Sequence, residues 1–106
     1  ETGISKNWAA TLDGLGPEAT ITTRAYTGRL ARGAATPHLT AWTKAGAPRP
    51  APYPDQMQLV REWRAGGPNS VDPESHWAGQ SAALGTEDPA GDVVARMWDE
   101  ASNLLP

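Results

Sequence analysis

Four prolines at every second position, Pro48, Pro50, Pro52 and Pro54, divide this chain in two. Each fixes its own φ and lacks an N–H, so residues 45–54 cannot form a helix and favour an extended connection. Two readings are open for that connection. It is a mobile linker, or it is a loop clamped to the surface of a larger body. Whatever folds must be built from the segments on either side.

Before the prolines, the most structured segment is residues 20–33, Thr-Ile-Thr-Thr-Arg-Ala-Tyr-Thr-Gly-Arg-Leu-Ala-Arg-Gly. The β-branched run from Thr20 to Thr23 predicts a strand, because branching at Cβ restricts χ1 in a helix. Gly28 predicts a turn that a Cβ would resist. Beyond it the Ala-rich segment reads as a helix, with Arg29 and Arg32 three apart on one face. Two guanidinium groups near a helix start oppose the helix dipole. They are either solvated surface residues or reach an anion, a buried carboxylate or backbone carbonyls. No second convincing strand is found, and a lone strand cannot satisfy its own N–H and C=O groups. The chain therefore looks incomplete as a domain.

Helix signals surround that strand. Ser5 is an N-cap with Ile4 before it, and Ile4, Trp8, Leu12 and Leu15 fall on one face. Gly14, Gly16 and Pro17 end that helix. Thr36 before Pro37 opens a short helix to Lys44, with Leu39 and Trp42 on one side. Asp55 opens a helix to about Ala65, whose apolar side carries Gln56, Met57, Leu59, Val60 and Trp63, and Gly66, Gly67 and Pro68 stop it. Asp72, Pro73 and Glu74 make a cap-like start to a segment of small residues, Ala78, Gly79, Ser81, Ala82 and Ala83. Asp88 and Pro89 cap the last helix, where Val94, Met97, Trp98, Ala101, Leu104 and Leu105 form a stripe whose expected role is packing. The sum is mostly α: four to five helices and one short strand.

Composition excludes several classes. A net charge of −3 without a basic block leaves no nucleic-acid footprint, and the apolar runs are far shorter than a membrane span. There is no cysteine, hence no disulfide, thiolate nucleophile or Cys-ligated metal, which is compatible with a reducing, cytoplasmic setting. The first residues show neither an initiator Met nor a signal-peptide pattern. His38 and His76 share no metal-ligand spacing, so no metal site is read. His38 lies in a capped helix that looks exposed, and His76 adjoins the small-residue segment. Neither is assigned a catalytic role. The carboxylates Asp55, Glu62, Asp72, Glu74, Glu87 and Asp88 fall mostly at caps or on outward faces. No phosphate-binding glycine loop or nucleophile elbow is present. Trp77 stands out because it flanks residues too small to build a core with. An aromatic plane beside Gly79 suits a flat ligand or apolar substrate, and Gln80 can both donate and accept hydrogen bonds.

Residues 23–33 resemble the T-R-A-[FY]-[ST]-G-R-x-A-R-G segment of nitronate monooxygenases, once called 2-nitropropane dioxygenases. Tyr53-Pro54 followed by a helix, and then Trp77-Ala78-Gly79-Gln80-Ser81-Ala82, are similar to that family's Y-P and [LM]-W-A-G-Q-x-[AG] segments in the same order. Residues 1–5 resemble its E-S-x-[IA] run after the last barrel strand. Ala34-Ala35-Thr36-Pro37 departs from the family's R-N-rich run. The related flavin-dependent enoyl-acyl carrier protein reductases share the A-G-Q segment but depart at the T-G-R-x-A-R run.

The resemblance implies a C-terminal fragment of a (β/α)8 TIM barrel with FMN at the C-terminal ends of its strands. The implied reaction is oxidation of alkyl nitronates with O2 to carbonyl compounds and nitrite. The catalytic base and phosphate-binding loops would lie upstream, so no catalytic residue is assigned here and the isolated chain is expected to be inactive. Residues 1–18 would be the last barrel helix and residues 19–106 a region packed over the flavin pocket, together one incomplete domain. Gly79 and Gln80 would sit near the flavin, Trp77 and Ala78 would line the substrate pocket, and Tyr26, Gly28, Arg29 and Arg32 would anchor the region to the barrel. Alternatives are a fragment of an enoyl reductase or an NAD(P)H:quinone reductase, and a free-standing helical interaction module.

Overall fold

The computed structural model describes residues 3–67 and 71–106. Glu1 and Thr2, from the N-terminal run compared above, and Pro68, from the predicted helix stop, lie outside them. The Ser5 side chain accepts the Trp8 N–H at 3.0 Å and opens helix α1 (Lys6–Leu12), as the sequence predicts. The helix ends before Leu15, in an extended Asp13.

Strand β1 (Thr20–Thr23) forms on the β-branched run. The expectation that it stands alone fails. The segment read as a helix after the turn is instead strand β2 (Ala31–Ala34), antiparallel to β1, with Thr20 opposite Ala34 and Thr23 opposite Ala31. The unpaired N–H and C=O groups that argued for a missing partner thus find one in the chain's own residues 31–34. The connection is built locally. The Thr23 hydroxyl oxygen accepts the Ala25 N–H at 2.9 Å, the Gly28 N–H donates to Arg24 O at 2.8 Å, and the Arg24 guanidinium donates back to Gly28 O at 2.9 Å.

Gly28 takes φ +84°, and the proline segment lies directly against it, so that a Cβ there would stand 2.6 Å from Ala51 O and from the Pro52 carbonyl carbon. Of the two readings of that segment the clamped loop holds, and the body it clamps to is the chain's own hairpin. Arg29 and Arg32 share no helical face. Arg29 lies over the Tyr53 ring, 3.9 Å from its centre, and Arg32 donates to Thr20 O at 3.2 Å and to the Thr20 hydroxyl at 3.1 Å. Within this chain Arg32 therefore reaches a backbone carbonyl, one of the partners considered from sequence.

Thr36 caps helix α2 (Pro37–Trp42), accepting the Leu39 N–H. Helix α3 (Asp55–Ala65) follows the prolines. Gln56 is buried in it for a polar reason: its amide donates to Ala25 O at 2.7 Å and accepts the Ala51 N–H at 2.9 Å, joining α3, the hairpin turn and the proline loop. Leu59, counted on the apolar side, is exposed. The core is Ala25, Tyr26 and Leu39, with Ile21, Trp42, Val60 and Trp77 packed against it.

Past the cap-like start, where the Asp72 carboxylate accepts the Glu74 N–H at 2.9 Å, the chain runs extended rather than helical. The Ala34 N–H donates to His76 O at 2.9 Å and the Ala78 N–H to Arg32 O at 3.3 Å, so this run lies along β2. Gly33 permits the approach, since a Cβ there would stand 2.9 Å from His76 O. A 3-10 turn (Ala82–Leu84) follows.

Helix α4 (Ala90–Leu104) carries the predicted stripe, but not the predicted cap: Asp88 instead pairs with Arg96 at 2.9 Å. The packing role expected of the stripe is not met within the described residues. Trp98 is 67% exposed and Leu104 85%, and along the whole helix only Val93 is even half-buried. The radius of gyration is correspondingly large, 16.9 Å, against about 13 Å for a compact domain of this length. Among the described residues the architecture is four α-helices and a two-stranded sheet, at the lower end of the predicted helix count and with one strand more. No helix among them is long and apolar enough to cross a membrane.

Candidate functional site

The residues singled out by sequence meet where the extended run leaves β2. Trp77 is half-buried, with the Tyr26 ring edge-on at 5.2 Å and 76°, and its carbonyl accepts the Trp8 indole N–H at 3.0 Å. Ala78 is buried beside it, and Gly79 and Gln80 emerge into solvent. A Cβ added at Gly79 would meet only the Ser81 hydroxyl, at 4.0 Å, so the backbone there is open to close approach from outside. The Gln80 side chain makes no hydrogen bond among the described residues. These four residues form a rim, apolar at Trp77 and Ala78 and polar at Gly79 and Gln80. The four anchor residues make their contacts inside this chain. Tyr26 is buried, and its hydroxyl lies 3.0 Å from the Thr36 hydroxyl and donates to Glu74 O at 3.1 Å; Gly28, Arg29 and Arg32 hold the hairpin as described.

A polar cluster that sequence reasoning missed lies behind the rim. Glu74, read as a cap residue, is its hub. Its carboxylate accepts from the Ser5 hydroxyl at 2.9 Å and lies 3.3 Å from His76 Nε2 and 3.4 Å from the Arg64 guanidinium. His76 Nδ1 is 2.9 Å from the Thr11 hydroxyl, which itself donates to Asn7 O at 2.9 Å. Thr11 thus spends its proton on the helix backbone and accepts from His76. The two ring nitrogens of His76 thus face Thr11 and Glu74, and the residue bridges α1 and the extended run. Burial pushes the Glu74 carboxyl up, but the hydrogen bonds from Ser5 and His76 and the Arg64 and His76 charges together hold it below its ordinary value. A cavity of about 320 Å³ lies against Thr11, Thr36, Glu74 and His76.

His38 overturns its reading as a surface residue. It is 1% exposed, stacks on Tyr26 at 4.8 Å, and has Trp63 at 5.4 Å and Trp42 at 6.2 Å. Its Nε2 has no hydrogen-bond partner among the described residues. The spacing held a partial signal, because His38 and Trp42 are four apart and share a helical face. Burial pushes the His38 imidazole below its ordinary 6.5, with the Asp72 charge acting the other way. Above 6.5 the ring is neutral in both states. As pH falls below that value, the unfolded chain binds a proton that the fold resists, so stability declines towards the lower folded pKa. His38→Phe is expected to flatten urea-measured stability between about pH 7 and 5.5, while the decline from Glu74, which begins below 4.5, stays. An unchanged slope in the upper window would contradict this account of His38.

Comparison with known proteins adds one relative. A protein named nitronate monooxygenase, from Paraburkholderia phytofirmans, is 32% identical to this chain over 107 aligned residues. The match takes in 99% of this chain and 29% of the relative, so the chain spans less than a third of the relative's length. No family model matches. The resemblance read from the motif segments therefore extends over nearly the whole sequence.

Proposed function

On the premise that this chain is kin to nitronate monooxygenase along nearly its whole length, we propose that it is the C-terminal portion of an FMN-dependent enzyme of that kind. The parent reaction is oxidation of alkyl nitronates with O2 to carbonyl compounds and nitrite. The observation that carries the reading is the named relative, aligned over 99% of the chain. The uncovered stripe of α4 supports it, since an apolar helix face needs another surface to bury it. So does the rim, whose open Gly79 backbone and uncommitted Gln80 amide fit the polar edge of a planar heteroaromatic ring brought in from elsewhere.

In this reading residues 1–18 close the barrel and residues 19–106 fold back over the flavin pocket in one domain completed by the upstream barrel. FMN, when bound, supplies the electron acceptor. This chain supplies positioning. Gly79 lets the backbone approach the ring, Gln80 offers it a donor and an acceptor, and Trp77 and Ala78 form an apolar wall that keeps water from the substrate side. The catalytic base belongs to the upstream part, since His38 is sealed in the core and His76 faces Thr11 and Glu74.

Gly79→Val tests the placement, because its side chain would point into open space and cost this chain's own packing little. In the polypeptide that carries this chain together with its barrel, the Kd for FMN, measured by titration of the apoprotein, is expected to rise by about tenfold, equivalent to about 1.4 kcal/mol of binding. An unchanged Kd would move the flavin away from Gly79. A helical interaction module is the second reading, favoured by the same exposed Val94, Met97 and Trp98. Cooperative unfolding of the chain on its own, with no flavin affinity in the longer polypeptide, would favour it. The reductase alternatives separate from the oxygenase by whether a nicotinamide cofactor is consumed.

A further inference from the structure

Between α3 and residues 73–77 runs a half-open groove of about 290 Å³. Trp77 and Tyr26 present aromatic surface to it, and Met57 and Val60 present apolar surface from the helix. Two guanidinium groups, Arg61 and Arg64, flank it, with no carboxylate among the residues that line it. In a chain of net charge −3 this is a local reversal of sign. Glu74 is near in sequence but faces the other cavity, and it takes up part of the Arg64 charge at 3.4 Å. Arg61 makes no ion pair or hydrogen bond among the described residues. An uncommitted cation beside an apolar wall selects a ligand with an anionic end and an apolar body.

We propose that this groove binds a small organic carboxylate, with Arg61 holding the carboxylate and Trp77 and Val60 enclosing the apolar part. The guanidinium fork matches a carboxylate through two parallel hydrogen bonds, and the flanking rings lower the local dielectric that would otherwise weaken the pair. The groove is at the small end of the range for small-molecule sites, which suits a monocarboxylic acid rather than a dinucleotide. Every wall is made by this chain, and although Trp77 is shared with the wall assigned above to the substrate side, the binding test needs no flavin.

The test uses benzoate as probe, with the Trp77 indole N–H resonance as reporter, and benzamide and inorganic phosphate as controls. Benzoate is expected to shift that resonance saturably, about tenfold more tightly than either control and less tightly as salt rises. Arg61→Gln is expected to remove the preference for benzoate over benzamide with an unchanged thermal midpoint, since Arg61 is exposed and unpaired among the described residues. Equal binding of benzamide, binding of phosphate as tight as that of benzoate, no saturable shift, or an Arg61→Gln variant that keeps the preference would each overturn the proposal. None of these outcomes depends on whether the longer polypeptide carries flavin.

Discussion

Gly28→Ala is expected to cost the fold about 3 kcal/mol or more, the largest effect of any single methyl group in this chain. Two penalties fall at one position. The backbone sits at φ +84°, where a Cβ is strained whatever the surroundings. The added carbon would also meet the backbone of Ala51 and Pro52 at 2.6 Å, and backbone cannot rotate aside as a side-chain end can. Relief requires the proline loop to lift from the hairpin, and with it the Gln56 hydrogen bonds to Ala25 and Ala51. Urea unfolding followed by tryptophan fluorescence measures the loss. A change below about 1 kcal/mol would mean that the loop is not clamped as described.

Trp98→Ala carries the second large expectation, and the sign of the contrast matters more than either value. Trp98 is 67% exposed, so in this chain alone its removal is expected to change stability by no more than about 0.5 kcal/mol. In the longer polypeptide of the proposed reading the stripe is covered, and the same substitution is expected to cost about 3 kcal/mol, as for a buried tryptophan. Thermal midpoints of the two pairs of proteins measure both numbers. A large loss in the short chain would mean that the stripe is already buried there, and no loss in the long one would leave it against solvent in both; either result contradicts the reading.

What was legible in the sequence was local. The Ser5 and Thr36 caps act over three residues, and both structure the helices that they predict. The β-branched run gave β1, and the α4 stripe is amphipathic as read. What was not legible depends on partners distant in the chain. Residues 31–34, Ala-Arg-Gly-Ala, have little strand preference of their own; β1 on one side and residues 76–78 on the other impose it. Gly33, which is not among the small residues read from sequence as allowing close approach, makes room for that neighbouring backbone. His38 is buried by rings from three different segments, and Glu74 is made a hub by Ser5, 69 residues away. The segment from Trp77 to Gln80 was singled out because its composition is odd, too small for core and beside an aromatic. The identity of what it faces comes from the resemblance and not from the geometry of this chain.

The central claim is that these residues serve a flavin held by another part of the same polypeptide. Nitronate-dependent O2 uptake with added FMN, measured on the 106-residue chain and on the longer polypeptide side by side, tests it most directly. The expected result is uptake with nitrite release from the longer protein and none from the short chain, which also leaves FMN fluorescence unquenched. Turnover by the short chain, or a longer protein that neither binds FMN nor consumes O2 with a nitronate, would contradict it.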